Sequence, residues 1–440
     1  MNQFYFYISF VSWLCLCSLW GIESLKISLE QAEDWVIENN YQLQADLHSA
    51  EQGYYGYRAA GDYFLPSLSV RASADFAKQR HGVDAVVKLT QPLYDKLAHC
   101  RLKEAQMQWE YLKLEWREKI CHLLFEVRRA YDEILLHSAR LEMDRMVIEL
   151  WQEELKRVER SADLGASILY EVQEAKFHLN NAWIDYYSTE RKRNESQIQF
   201  LTLLSLPSDT PLELEGGFLS LQNLEDRLGG TSQTLVKENK EEVLLGAEKR
   251  ELAEKWIAQA FSFCPALQKA RFACWLSRNQ MEQVKAERYP TVSLYTNAGH
   301  AYVNNGFDQQ PNVGVGLNVE GALYSPVNRQ KIKQAQAGRQ SAASRYEEAE
   351  LQVTAKTHRL LSEIEHCHRI YRTAKEGALL AEEGRKVAAR KHEEGAMSAF
   401  EYRESVKNFR EAQLRVIQAQ ADWRNAYHRL VEHAGIDLIF

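Results

Sequence analysis

The feature that most limits what this chain can fold into is a long pattern that occurs twice. In each copy a helical stretch ends at a proline and an alternating stretch begins, first at Phe64–Val70 (FLPSLSV) and again at Arg288–Leu294 (RYPTVSL). The two prolines are 224 positions apart (290 − 66). Gly165 and Gly395, each at the end of a long helical pattern, are 230 apart (395 − 165). A period this long is not that of a solenoid, so it indicates duplication of a whole helix–strand–strand–helix unit.

The duplication predicts the domain organisation. We expect a first structural repeat over residues 25–206, a connecting segment over 207–254 and a second repeat over 255–436. Residues 1–24 contain an apolar run of signal-peptide length followed by small residues, so we expect them to be removed on export. The run departs from the signal-peptide pattern because no Lys or Arg precedes Lys26. The alternative is a buried N-terminal helix, because the run is rich in aromatic residues and short for a membrane span.

Composition indicates an ordered protein that does not bind nucleic acid. With 440 residues, 45% of them hydrophobic, the chain can bury a large hydrophobic core and form an ordered structure. A net charge of −7 argues against a nucleic-acid partner, which favours a basic surface. Five cysteines follow the N-terminal run, with no CxxC spacing, and we interpret them as packing residues: Cys100, Cys121, Cys264, Cys274 and Cys367.

Each copy contains two alternating stretches that predict β-strands. In the first stretch, Ser67–Lys78, the apolar residues recur at every second position. A turn is expected at Arg80–Gly82, and the second stretch then ends at Pro92. The second copy repeats the pattern over residues 292–298 and 313–323. About ten to twelve residues suit a membrane strand, with the apolar face toward lipid and the polar face toward a lumen.

After each strand pair the apolar spacing changes to three and four. From Leu97 to Val158 this gives a heptad-like seam of about 62 residues, or a helix of about 93 Å. Residues 163–167 interrupt it, and a returning seam predicts an antiparallel hairpin. The second copy repeats the hairpin with smaller seam residues and a tip at residues 393–397.

We find no catalytic motif, so no enzyme activity and no cofactor are expected. The best candidate for a metal cluster is Glu363, Glu365, His366 and His368. Alternate residues point to different sides of a helix, so these four are better interpreted as a solvated face, and no metal is expected.

One acidic pair has a physical use. Glu401 and Glu404 lie three residues apart just after the second tip and share a helix face, and Glu171 and Glu174 occupy the matching positions of the first copy. If several copies of this helix line a pore, the pair becomes an acidic ring that attracts cations. The alternative is an ordinary charged face with basic residues nearby.

The order of the elements and several short motifs resemble the TolC family of outer-membrane channel proteins. The motifs are Ile27–Ala32 (ISLEQA), Phe64–Leu68 (FLPSL), Gln91–Asp95 (QPLYD) and the two glycine tips. The resemblance implies a mainly α fold with a transmembrane β part. In it, long antiparallel α-hairpins form a periplasmic tunnel, and each of three protomers gives four strands to a shared 12-stranded β-barrel.

The resemblance also implies a function. Such channels are the outer-membrane exit duct of a tripartite efflux or type I secretion system, and receive substrates from an inner-membrane pump through a periplasmic adaptor. It places the pore gate at Glu401 and Glu404. Adaptor docking is expected at the tips, namely Leu164, Gly165, Ala166, Gly395, Ala396 and Met397, where Met397 stands in place of an arginine found in better-known members.

Elementary physics independently requires several chains. Four strands cannot close a barrel, and open strand edges are not tolerated in lipid. Two chains would supply 8 strands (2 × 4) and three would supply 12 (3 × 4), and only the resemblance selects three. A non-channel periplasmic coiled-coil scaffold is the alternative, and the alternating strand pairs argue against it.

Overall fold

The computed structural model describes residues 25–77, 80–163, 169–215, 246–303, 306–307, 312–321 and 326–435. The expected signal peptide, residues 1–24, lies outside these ranges. The helices are α1 (Leu29–Asn39), α2 (Tyr41–Asp62), α3 (Lys96–Asp163), α4 (Leu169–Leu203), α5 (Gly246–Phe263), α6 (Pro265–Ala286), α7 (Pro326–Glu393) and α8 (Ala399–Ala434). The strands are β1 (Leu25–Ile27), β2 (Ser67–Ala77), β3 (Arg80–Tyr94), β4 (Leu212–Leu214), β5 (Thr291–Val303), β6 (Gly306–Phe307) and β7 (Asn312–Glu320).

The chain divides into two compact units, and each takes segments from both halves of the sequence. One unit contains the described residues up to Gln42, those of Lys119–Ser262 and those from Ala355 onward. The other contains Leu43–Glu118 and Phe263–Thr354. We describe them as the helical unit and the sheet unit. None of the helices in the described ranges has a stretch both long and apolar enough to span a lipid bilayer.

The sheet unit contains an antiparallel sheet in the order β2–β3–β5–β7, with β6 also paired to β5. The register aligns apolar residues of all four strands, because Val70 is opposite Val87, Val87 is opposite Ala298, and Ala298 is opposite Val313. Val70 is 71% exposed and Val313 64% exposed. The predicted alternation is therefore confirmed, and the apolar face is uncovered in the single chain.

The predicted position of the first turn was wrong. Arg80–Gly82 begin β3, and they pair with Asp75–Ala77. Only residues 78–79 separate the two strands in the sequence, a connection length typical of tight hairpins. Strand pairing therefore continues further toward the hairpin end than the composition of Arg80–Gly82 indicated.

The polar face of the sheet carries large side chains on β5 opposite glycines on β7. A Cβ atom on Gly316 would lie 2.6 Å from the hydroxyl of Tyr295, and one on Gly314 would lie 2.6 Å from the side-chain oxygen of Asn297. The ammonium of Lys88 lies 5.5 Å from the centre of the Tyr295 ring, within the range of a cation–π contact. These glycines leave room for the side chains of the neighbouring strand.

Helices α2, α3, α6 and α7 contribute the rest of the sheet unit. The side chain of Asn279, on α6, donates a 2.9 Å hydrogen bond to the carbonyl of Cys100, on α3. Cys100 is free and buried, in agreement with its interpretation as a packing residue. Cys264 and Cys274 do not share one continuous helix, because α5 ends at Phe263 and Cys264 is the N-cap of α6.

Helices α3 and α7 continue from the sheet unit into the helical unit, at Lys119 and Ala355. There they form two long hairpins, α3 with α4 and α7 with α8. Helix α3 is 68 residues long, slightly more than the predicted 62 or so, and α7 has the same length. Helices α4 and α8 contain 35 and 36 residues. Ser28 caps α1, since its hydroxyl accepts a hydrogen bond from the N–H of Gln31. β1 and β4 form a short parallel pair beside the buried Val36, Val127 and Phe200.

Candidate gate and docking tip

Four helices of the helical unit meet near the hairpin ends. Buried Val147 and Trp151 of α3, Ala182 of α4 and Ala388 of α7 share one cluster with Val406 of α8. Helices α3, α4 and α8 contribute apolar residues at spacings of three or four, and α7 contributes the adjacent Ala388 and Ala389, so the ends of both hairpins pack against each other. This core fixes the position of the residues at the second tip.

The second tip is a tight reversal between α7 and α8. Gly395 has φ of +71°, a conformation in which a side chain is strained. Its N–H bonds the carbonyl of His392, and the N–H of Ala396 bonds the carbonyl of Lys391, the two bonds of a Schellman motif. Gly395 and Ala396 are exposed, and Met397 is half-buried. The residues expected at the first tip, Leu164, Gly165 and Ala166, lie outside the described ranges.

Glu401 forms a capping box at the start of α8. Its carboxylate accepts hydrogen bonds from the backbone N–H of Ser398 at 3.1 Å and from the Ser398 hydroxyl at 2.9 Å. The Ser398 hydroxyl accepts in turn from the N–H of Glu401. These hydrogen bonds lower the pKa of Glu401. The motif Ser-x-x-Glu signals such a box in the sequence, but we did not predict this role.

Glu401 and Glu404 are both exposed, one helical turn apart. Arg403, between them, points instead toward α4, where it forms a 2.8 Å ion pair with Glu174. The charge of Glu174 is therefore compensated within the chain. The two copies of the acidic pair thus differ in their surroundings, a difference that residue types alone did not reveal.

An ionic cluster of buried Glu154 and His392 with the partly exposed Arg157 joins the second tip to α3. The Nδ1 atom of His392 lies 3.0 Å from the carbonyl oxygen of Met397, and its Nε2 atom lies 3.4 Å from a carboxylate oxygen of Glu154. Arg157 binds that carboxylate through two nitrogens, at 2.8 and 3.0 Å, and also contacts Nε2 of His392. The imidazole stacks on the ring of Tyr402, with centroids 4.8 Å apart.

No sequence pattern predicts this cluster, because Glu154 and His392 are separated by 238 positions. Burial by itself raises the pKa of Glu154, but the hydrogen bonds and charges of Arg157 and His392 outweigh burial, and the pKa is lowered.

A second network fastens α8 to the first hairpin. Arg410 binds Asp144 of α3 at 2.8 Å and Asp185 of α4 at 2.5 Å, and Thr189 also donates to Asp144. Burial lowers the pKa of Arg410, but the two carboxylates have the larger effect and raise it. Both helices of the first hairpin are thereby held to α8 by one guanidinium.

Three of the four residues considered as a metal cluster have separate partners. Glu363 pairs with Arg429 at 2.8 Å, Glu365 pairs with Arg369, and His368 packs on the ring of Trp423. Across the described ranges no group of three or more His, Cys, Asp or Glu residues converges.

Comparisons with known proteins agree on the fold. The sequence matches the family described as outer membrane efflux protein over residues 34–205 and 256–435. No curated protein matches it. A membrane protein from Pseudomonas aeruginosa is similar in structure, with 16% identity, 92% of this chain and 90% of that chain covered, and a TM-score of 0.73.

Two further structures are similar to a comparable degree. The CmeC outer membrane channel of Campylobacter jejuni has 13% identity, covers 92% of this chain and 85% of its own, and gives a TM-score of 0.73. The open state of the MtrE outer membrane channel of Neisseria gonorrhoeae has 14% identity, with 92% and 88% covered and a TM-score of 0.72. At these identities the likeness shows the fold.

Proposed function

Because this chain belongs to the outer membrane efflux protein family and is therefore an outer-membrane efflux channel, we propose that three copies form the complete exit duct. Each copy gives β2, β3, β5 and β7 to a 12-stranded barrel (3 × 4). The long hairpins of the three copies form the periplasmic tunnel. Substrates then pass from an inner-membrane pump to the exterior.

The observation that carries this proposal is the sheet. Its apolar face is uncovered in one chain, and β2 and β7 lie at its two edges. In lipid every backbone N–H and C=O group needs a partner, so these edges must pair with other strands. A second copy of the same sheet supplies edges of the right length and an apolar face at the same depth.

We assign the pore gate to Glu401 and Glu404. Both carboxylates are exposed beside the second tip, whereas Glu174 of the matching pair is compensated by Arg403. Three copies would bring six carboxylates (3 × 2) around one axis. Their mutual repulsion in the trimer would act at Glu401 against the hydrogen bonds that lower its pKa in one chain.

We assign adaptor docking to the tips, Leu164–Ala166 and Gly395–Met397. In the described tip the exposed residues are small and the backbone turns sharply at Gly395, so a partner helix can approach closely. A periplasmic adaptor protein is the proposed partner, and it would join the tips to the pump.

We also propose that the domain organisation arose by duplication, with repeats at residues 25–206 and 255–436 joined by the segment 207–254. The equal lengths of α3 and α7, and the near-equal lengths of α4 and α8, support this proposal.

Single-channel recording in planar bilayers tests the gate. Glu401→Gln combined with Glu404→Gln should reduce cation selectivity and relieve block by divalent cations from the periplasmic side. The matched control is Glu171→Gln with Glu174→Gln, which should have a smaller effect. Unchanged selectivity and block in the first double variant would assign Glu401 and Glu404 to an ordinary solvated face.

A further inference from the structure

His392 is placed so that its hydrogen-bond partners decide its tautomer. The carbonyl oxygen of Met397, 3.0 Å from Nδ1, can only accept, so Nδ1 carries a hydrogen. In the neutral ring Nε2 then carries no hydrogen, and its lone pair accepts a hydrogen bond from the guanidinium of Arg157. Arg157 simultaneously binds the carboxylate of Glu154, so one guanidinium serves both groups.

Protonation converts Nε2 from a hydrogen-bond acceptor into a donor. An N–H at that position faces the N–H of Arg157, and the two groups then carry like charges. The carboxylate of Glu154 lies 3.4 Å away and can accept the new hydrogen bond. The side chain of Arg157 is 40% exposed, whereas those of His392 and Glu154 are 9% and 7% exposed. Arg157 is therefore the group with a path to water.

We propose that His392 is a proton-operated switch at the second tip. When neutral, it shares Arg157 with Glu154. When protonated, it takes Glu154 as its partner and releases Arg157 to solvent, while Nδ1 holds the carbonyl of Met397 in both states. Imidazole is the side chain whose charge ordinarily changes between pH 5 and 8, and the geometry gives each protonation state of His392 its own partner at Nε2.

The remaining ionisable groups at the site leave this exchange intact. Burial raises the pKa of Tyr402, so the phenol stacked on His392 remains neutral between pH 5 and 8. Glu153 of α3 and Arg385 of α7 act on Tyr402 with opposite signs. The two charges that contact the imidazole are those of Glu154 and Arg157.

The released cation lies near the C-terminal end of α3, which the residues of the first tip follow in the sequence. Arg157 precedes the last residue of α3, Asp163, by six positions, or about 9 Å along the helix. Acid therefore leaves the positive charge of Arg157 more exposed and without its carboxylate partner near the end of α3, and the consequence for docking rests on the proposed docking function. The switch itself is a property of one folded chain.

Solid-state NMR of the channel reconstituted in lipid, with ¹³C- and ¹⁵N-labelled histidine, tests the switch. The signal of His392 is identified by its loss in His392→Gln. The wild-type signal should show a neutral ring with the hydrogen on Nδ1 at pH 8 and a charged ring at pH 5. A neutral ring with the hydrogen on Nε2, or a charge that does not change over this range, would overturn the proposal.

Two variants with opposite expected effects sharpen the test. Glu154→Gln should lower the titration midpoint of His392 by about one pH unit, and Arg157→Gln should raise it by about one unit. His48, an exposed histidine paired with Glu51, is the internal control and should not shift. Shifts of His392 in the same direction, or none, would overturn the switch. The signal reports on one side chain, so it is read independently of trimer gating and adaptor docking.

Discussion

Replacing Val70 by arginine tests whether the apolar face of the sheet meets lipid. Val70 is the fourth of the 11 residues of β2, and thus two residues from the centre of the strand. At a rise of about 3.4 Å per residue and a tilt of about 40°, two residues correspond to about 5 Å along the membrane normal. The substitution therefore lies near the midplane, where an arginine facing lipid costs about 2–4 kcal/mol.

Three copies bring the cost to about 6–12 kcal/mol per barrel, which is comparable with the whole stability of a folded domain. We expect Val70→Arg to prevent assembly. Ser69→Arg is the matched control, because it adds the same side chain one residue away on the polar face. Lys88 is opposite Ser69, so repulsion there costs up to about 1 kcal/mol.

The assay is the amount of oligomer that resists unheated detergent electrophoresis after isolation of the outer membrane. Ser69→Arg should give nearly as much oligomer as wild type, and Val70→Arg little or none. Equal loss in both variants, or normal assembly of Val70→Arg, would refute the assignment of the two faces.

Further predictions concern the helical unit. Arg424→Met should destabilise the protein by about 3–5 kcal/mol in thermal unfolding, because it leaves buried Asp132 without its 2.6 Å partner, and adding Asp132→Leu should restore most of the loss. Gly395→Val should abolish crosslinking to the adaptor without loss of the oligomer, whereas Gly395→Asn should be tolerated at the same positive φ. Ser398→Ala should cost about 1 kcal/mol, also seen in thermal unfolding. Folding lowers the pKa of Glu154, so its ionised carboxylate stabilises the folded protein at pH values above the unfolded-state pKa of about 4.3. Wild type should lose this contribution as the pH falls below that value, and Glu154→Gln should lack it at every pH.

Each of these predictions, apart from that for Ser398→Ala, has one outcome that would contradict it. These outcomes are a double Arg424/Asp132 variant as unstable as the single one, unchanged crosslinking in Gly395→Val, and equal acid sensitivity of wild type and Glu154→Gln. Unchanged thermal stability in Ser398→Ala would show that the cap contributes little.

Most of the fold could be predicted from the sequence because it depends on periodic patterns. The apolar residues of β2 recur with period two and those of α3 with spacings of three and four, and each period identifies its element. The pairing of Val70 with Val87 follows from the need to align apolar faces. The limits of β3 could not be predicted, since pairing extends through the polar residues Arg80–Gly82.

The candidate site was less predictable because its contacts join distant parts of the chain. The approach of Arg403 to Glu174, and of His392 to Glu154, depends on how the two hairpins pack. Local signals identified Gly395 as a turn residue and Glu401 as an acid near a helix start. No local signal shows which of two equivalent acidic pairs is compensated by a neighbouring helix.

The glycines of β7 have an evolutionary consequence. The side chain of Tyr295 occupies the space that a side chain at Gly316 would need, and Asn297 does the same at Gly314. Each pair therefore has room on the polar face for one large side chain only, and substitutions at its two positions should be correlated. A homologous channel with a larger residue in place of Gly316 should have a smaller one in place of Tyr295, so the width of the passage could stay constant while its lining diverges.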